Sequence, residues 1–270
     1  MKFLSAKDSG RISIFGIPYD STTCFRAGTR FGPSGVRNFS ENLETYSPAL
    51  KRDLEDLDFV DLGDIEISVS PEKMIKEVEE FLTEKKVGTP VMIGGDHSVS
   101  YPVIKYLTEK YGKLTVVQFD AHADLRDEYT GTKFSHACVM KRALELGCDL
   151  IQVGIRSGTK EEFELMEDSK SIIYLPTPDN LPKVLEEVET PVYITIDIDF
   201  FDPSFAPGTG TPEHCGFSPV EFFETIYKLP PVNIVGFDVV EISPPYDPSG
   251  ITQALGAKII RELMLFFWGK

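Results

Sequence analysis

Three short stretches concentrate side chains able to hold a divalent ion. His97 closes the run Gly94-Gly95-Asp96-His97, Asp120, His122 and Asp124 alternate through one pentapeptide, and Asp197 and Asp199 flank Ile198. Taken singly, an Asp or His just past a strand is more often a cap or a turn former than a ligand. Six of them in this grouping are hard to explain as caps. Four carboxylates crowded into one cavity would repel, and some would keep their protons, unless cations were bound. Two divalent ions carry four positive charges against those four negative ones, so the balance points to a binuclear centre. Mixed carboxylate and imidazole ligation suits Mn²⁺, Fe²⁺ or Co²⁺, with Zn²⁺ also compatible. Two bridging ions lower the pKa of a shared water enough to present hydroxide near neutral pH. The expected chemistry is metal-assisted hydrolysis.

The elements that must position these groups are legible in the hydrophobic pattern. The runs 12–17, 91–93, 114–119, 150–153, 171–175, 192–196 and 233–239 are nearly continuous in apolar and β-branched residues. Such runs suit strands buried on both faces. Amphipathic stretches lie between them. Ser70 and Pro71 open one helix, Ser218 and Glu221 form a capping box ahead of another, and a last helix runs from Thr252 to about Trp268. The alternation implies a single three-layer α/β/α domain over residues 1–270 with a mainly parallel central sheet. Open α/β sheets bind ligands beyond the carboxyl ends of their strands. His97, Asp120, Asp197 and Glu241 all follow such ends. An extended backbone through Asp120-x-His122-x-Asp124 and Asp197-x-Asp199 would turn alternate side chains to one side, and Gly94 and Gly95 permit the close turn before His97.

The formal net charge of −16, from 43 acidic and 27 basic residues, argues against nucleic acid and anionic membrane surfaces as partners. It is compatible with a cationic small substrate. Cys24, Cys138, Cys148 and Cys215 are scattered, without a C-x-x-C pair, as in proteins of a reducing compartment. With no signal-like start and no apolar run near 20 residues, a cytoplasmic protein is expected. Seven Asn plus Gln beside many Glu and Lys lean towards heat stability.

The motifs resemble those of the ureohydrolases, the arginase/agmatinase family. Gly94-Gly-Asp-His-Ser98, Phe119-Asp-Ala-His-Ala-Asp124 and Ile196-Asp-Ile-Asp-Phe-Phe-Asp-Pro203 are similar to its three signatures. The segments 16–20, 26–33, 207–212 and 240–244 resemble family segments in the same order. The resemblance implies two Mn²⁺ ions, one held by His97, Asp120, Asp124 and Asp197 and the other by Asp120, His122, Asp197 and Asp199, with Asp120 and Asp197 as bridges. It implies that Glu241 grips the substrate guanidinium, that His136 moves protons to the leaving amine or the regenerated water, that Thr211 lines the substrate, and that the protein is a homotrimer or homohexamer.

The stretch Leu125-Arg-Asp-Glu-Tyr-Thr130 lacks the polar contacts with which arginases hold an α-carboxylate, and the pattern is similar to prokaryotic agmatinases. Asp127 and Glu128 are expected to meet a distal ammonium, making agmatine the expected substrate and putrescine and urea the products. Aminopropylagmatine, giving spermidine, is the near alternative, followed by arginine. Guanidinobutyrate meets the same objection as arginine. A deacetylase acting on acetylpolyamines is the alternative from another class; it would use one metal and have no need of Asp124 or Glu241.

Overall fold

The computed structural model describes residues 1–269; Lys270 lies outside them. Ten strands occur in chain order: β1 Ile12–Gly16, β2 Tyr46–Ser47, β3 Arg52–Asp53, β4 Phe59–Asp64, β5 Thr89–Ile93, β6 Thr115–Phe119, β7 Asp149–Val153, β8 Ile172–Leu175, β9 Val192–Asp197 and β10 Ile234–Val240. Eight of them form one sheet in the order β4-β1-β5-β10-β9-β6-β7-β8, with every neighbouring pair parallel. The other two, β2 and β3, form a short antiparallel pair.

Alternate residues of each strand feed opposite faces. Ile14, Val117 and Ile194 point into one core with α1 Gly32–Ser40, α6 Leu181–Leu185, α7 Pro219–Ile226 and α8 Ile251–Trp268. Phe15, Val116 and Tyr193 point into the other, against α2 Pro71–Glu84, α3 Ser100–Tyr111, α4 Val139–Glu145 and α5 Lys160–Asp168. Helices on both faces explain why the strands read as nearly unbroken apolar runs. Each fully buried Leu, Ile, Val or Phe contributes roughly 1.5–3 kcal/mol over leaving it in water.

The expected three-layer, mainly parallel architecture is found, with some local differences. Strand β4 lacks the apolar run of its neighbours because it is an edge strand whose Asp61 and Asp64 face Arg37 rather than the core. The Ser218 box is present: its hydroxyl accepts from the Glu221 amide at 3.2 Å, and Glu221 accepts from the Ser218 amide at 2.8 Å. A second box, Thr159 with Glu162, opens α5. Ser70 makes no such bond and instead donates to Glu72 at 2.8 Å. No helix among the described residues is long and apolar enough to cross a membrane.

Candidate metal centre and active site

Four strands adjacent in the sheet, β5, β10, β9 and β6, carry the acidic and imidazole groups past their carboxyl ends. After β5 the chain turns through Gly94 and Gly95 into a 3₁₀ turn, His97–Val99. A Cβ on Gly95 would lie 1.7 Å from the Tyr19 carbonyl oxygen, so only glycine fits there. The Tyr19 carbonyl accepts the Asp96 amide at 2.7 Å and the Gly95 carbonyl accepts the Glu241 amide at 2.8 Å, which ties the ends of β5 and β10 together.

The extended-backbone expectation for the two aspartate motifs is corrected by the structure. Strand β6 ends at Phe119, and Asp124 adopts φ 54°. Asp197 ends β9, and Asp199 sits in the 3₁₀ turn Ile198–Phe200. The side chains converge because the chain coils past the strand ends, not because it alternates. Glu241 also lies in the left-handed region, at φ 62°. Such a conformation in a residue other than glycine costs on the order of 1–3 kcal/mol and persists only where its surroundings impose it.

All six expected ligands come together. His97 Nδ1 lies 3.0 Å from Asp120 Oδ2, 3.1 Å from Asp124 Oδ2 and 3.5 Å from Asp197 Oδ2. His122 Nδ1 lies 2.9 Å from Asp199 Oδ2 and 3.6 Å from Asp120 Oδ1. Two sets of three, His97–Asp120–Asp124 and Asp120–His122–Asp199, have ligand atoms close enough to surround an ion, and Asp120 belongs to both.

Two buried atoms of this cluster make no hydrogen bond, His97 Nδ1 and Asp199 Oδ2, and each belongs to one of the two sets. A bare imidazole nitrogen facing three carboxylate oxygens is unfavourable unless a proton or a cation lies between them. Without a metal, a proton is held there: burial opposes the charged form of His97, but Asp120, Asp124 and Asp197 outweigh it and raise its pKa well above the ordinary value. Burial, then the Asp199 and Asp120 charges, keep Asp197 protonated well above the carboxylate range. Burial and Asp120 push Asp124 up to about 6. The donor set and the orphaned atoms fit two divalent ions.

The candidate ligands are braced from below by residues that carry no motif. Gln118 Nε2 donates to Asp120 Oδ2 at 2.8 Å, and Gln152 Nε2 donates to Gln118 Oε1 at 2.6 Å. The two glutamines are register partners on β6 and β7 and fully buried. Lone polar residues inside apolar strands were the available signal, since buried amides are costly unless bonded. Gln118 and Thr195 each stand two residues before a ligand.

A cavity of about 200 Å³ opens above the cluster. His97, His122, Asp124 and Asp197 form its floor, and Glu241, His136 and Thr211 also line it. Glu241 Oε1 accepts the His97 amide at 2.8 Å. Burial and the Asp96 carboxylate push its pKa up to about 8. The Thr22 hydroxyl accepts the His136 amide at 3.0 Å and lies 3.3 Å from Nδ1 of that ring. Thr22 in turn donates to the buried Asp96 at 2.9 Å. Burial lowers the His136 pKa, but Cys24, Glu241, Asp96 and Asp124 outweigh it and bring it to about 9.

Asp127 and Glu128 do not line this cavity. Asp127 pairs outside it with Arg142 at 2.9 Å and Lys133 at 3.8 Å. The walls are instead Glu162, Arg126, Tyr129 and Cys24. Arg126 lies 4.7 Å over the Tyr129 ring and 3.8 Å from Glu162. These wall residues are on loops or helix starts and carried no distinctive spacing.

A parallel α/β sheet with a carboxylate–imidazole centre across its four middle strands defines a class, the metal-dependent hydrolases with paired ion sites. The family model described as "Arginase family" matches residues 10–266, and the chain belongs to the arginase family. It is 42% identical over 266 residues to the agmatinase of Bacillus subtilis, covering 94% of this chain and 91% of that one. It is 36% identical over 259 residues to the N(1)-aminopropylagmatine ureohydrolase of Thermococcus kodakarensis, covering 92% and 88%. The crystal structure of the agmatine ureohydrolase of Thermoplasma volcanium superposes with a TM-score of 0.87 at 34% identity, covering 98% of this chain and 94% of that one.

Proposed function

We propose that this protein is an agmatinase-type ureohydrolase, cleaving the guanidinium group of agmatine to putrescine and urea in the cytoplasm as a homotrimer or homohexamer. The observation that supports this is a pair of candidate ligand sets sharing Asp120, of which His97, Asp124 and His122 line the same cavity as Glu241 and His136. Mn²⁺ is the proposed metal, held by His97, Asp120, Asp124 and Asp197 on one side and Asp120, His122, Asp197 and Asp199 on the other. Bound there, the ions would supply hydroxide at neutral pH.

The protein groups divide the remaining work. With Oε1 of Glu241 engaged by the His97 amide, Oε2 is free to pair with the guanidinium, and the substrate cation favours the ionised carboxylate. His136, held by Thr22 and protonated below about 9, gives a proton to the leaving amine as the central C–N bond breaks. Thr211 lines the same cavity and would contact the substrate there. The cationic tail leaves past Glu162, since Asp127 and Glu128 lie outside the cavity. The similarity to the agmatinase of Bacillus subtilis supports agmatine.

The deciding experiment measures urea release by the Mn²⁺-loaded protein from agmatine, aminopropylagmatine, arginine and 4-guanidinobutyrate side by side. Agmatine is expected to dominate. Dominance of aminopropylagmatine would keep the chemistry and change the tail. Dominance of arginine or guanidinobutyrate would reassign Arg126 to carboxylate recognition, and no urea from any of the four would overturn the proposal.

A further inference from the structure

Beneath the ligand cluster lies a buried polar chain that the hydrolytic reading does not use. Tyr193 and Thr195 on β9 and Asp238 on β10 are fully buried, and Thr195 and Asp238 are register partners. The Tyr193 hydroxyl donates to Asp238 Oδ2 at 2.7 Å and the Thr195 hydroxyl donates to Asp238 Oδ1 at 2.6 Å. His97 Nε2 lies 2.8 Å from the same Thr195 oxygen. A threonine hydroxyl has one proton, and here Asp238 takes it. The Thr195 oxygen therefore has only lone pairs to offer His97, so the ring must carry its proton on Nε2. That leaves Nδ1, the orphaned atom, as the lone pair facing Asp120 and Asp124.

We infer that Thr195 and Asp238, backed by Tyr193, are positioning residues for the metal centre, fixing His97 in the one tautomer and ring orientation able to bind an ion through Nδ1. This rests on the metal-centre reading given above. Deprived of an acceptor at Nε2, the ring populates the tautomer protonated on Nδ1, which cannot coordinate, and it is freer to rotate. Three polar groups at this depth are costly to bury unless fully bonded, and the bonds they make lead to one ligand nitrogen.

The test titrates Mn²⁺ into metal-free wild-type, T195V and T195S proteins, following free ion by electron paramagnetic resonance and melting each protein in EDTA. Valine keeps the shape and removes the acceptor; serine keeps the acceptor. T195V should weaken one of the two binding steps by about 10–100-fold, the range for losing a partner of a ligating histidine, while T195S restores it. Unchanged binding by T195V would overturn the inference, and so would T195S binding as weakly as T195V, which would assign the effect to packing. Wild-type protein that binds no ion would refute the metal-centre reading itself. Should T195V not fold, the wild type loaded with diamagnetic Zn²⁺ decides: with four histidines in the chain, nitrogen-15 spectra should show an imidazole with a protected Nε2 proton and a metal-bound Nδ1. A His97 ring protonated on Nδ1 would overturn the inference.

Discussion

Removing the metal should cost this protein a large share of its thermal stability, and the structure sets the scale. Each ligand set holds one unsatisfied buried atom, His97 Nδ1 or Asp199 Oδ2, so two binding events are linked to folding. At a free ion concentration one hundred times the dissociation constant, each contributes about 2.7 kcal/mol, about 5.4 kcal/mol for both. For a chain of this size each kcal/mol moves the midpoint by roughly 2–4 °C, so Mn²⁺ should raise it by roughly 10–20 °C over EDTA-treated protein. Because Asp120 is common to both sets, the variants should not behave alike. His97→Asn and His122→Asn should each lose about half of the Mn²⁺-induced shift, and Asp120→Asn nearly all of it. Affinity should rise with pH, because the proton that the carboxylates hold on His97 must leave before an ion binds. Differential scanning calorimetry of the four proteins, with and without Mn²⁺, makes the check. A wild-type midpoint indifferent to metal refutes the ion count. An Asp120→Asn shift no smaller than that of the histidine variants refutes the shared ligand.

Activity against pH offers a second check: with Glu241 at about 8 and His136 at about 9, kcat/KM should rise as Glu241 ionises and fall as His136 loses its proton. The acidic limb should sit lower in the loaded enzyme, where the ions favour the carboxylate, and His136→Asn should abolish the alkaline limb. Cys24, at the cavity wall, is lowered to about 7 chiefly by its hydrogen bond with His136; iodoacetamide should react with a midpoint near that value in the wild type and at higher pH in His136→Asn. Arg37→Met leaves the buried Asp61 without its bidentate partner at 2.7 and 3.0 Å, and urea unfolding should show a loss of about 3–5 kcal/mol. Gly95→Ala, which drives a methyl onto the Tyr19 carbonyl, should abolish urea release while circular dichroism reports a folded protein.

The sheet and the candidate ligands are readable for the same physical reason. Strands covered on both faces are apolar nearly throughout, so the runs at 91–93, 114–119 and 192–196 stand out, and so do the acids and histidines just beyond them. Strand β4 escaped notice because an edge strand facing Arg37 carries aspartates where its neighbours carry valines. The turns at Asp124 and Glu241 were illegible, since their left-handed backbone comes from hydrogen bonds made by distant segments and neither residue is glycine. Asp127 and Glu128 carry the charge that a distal ammonium needs, but Arg142 and Lys133 hold Asp127 outside the cavity. The polar residues Gln118, Gln152, Thr195 and Asp238 were visible as interruptions of apolar strands. Only their placement under specific ligands gives them meaning.

The cavity is assembled from two kinds of material. Its floor is bolted to the ends of four adjacent middle strands, while Cys24, Arg126, Tyr129 and Thr211 on the walls belong to segments outside strands and helices. Reactivity and selectivity are thereby lodged in parts of the chain that can vary independently. Exchanging the segments 23–27 and 125–134 for others, with Thr22 and its hold on His136 kept, should retarget the enzyme to guanidino compounds with different tails while leaving the bond-breaking apparatus intact. A scaffold partitioned in this way is a ready starting point for directed evolution.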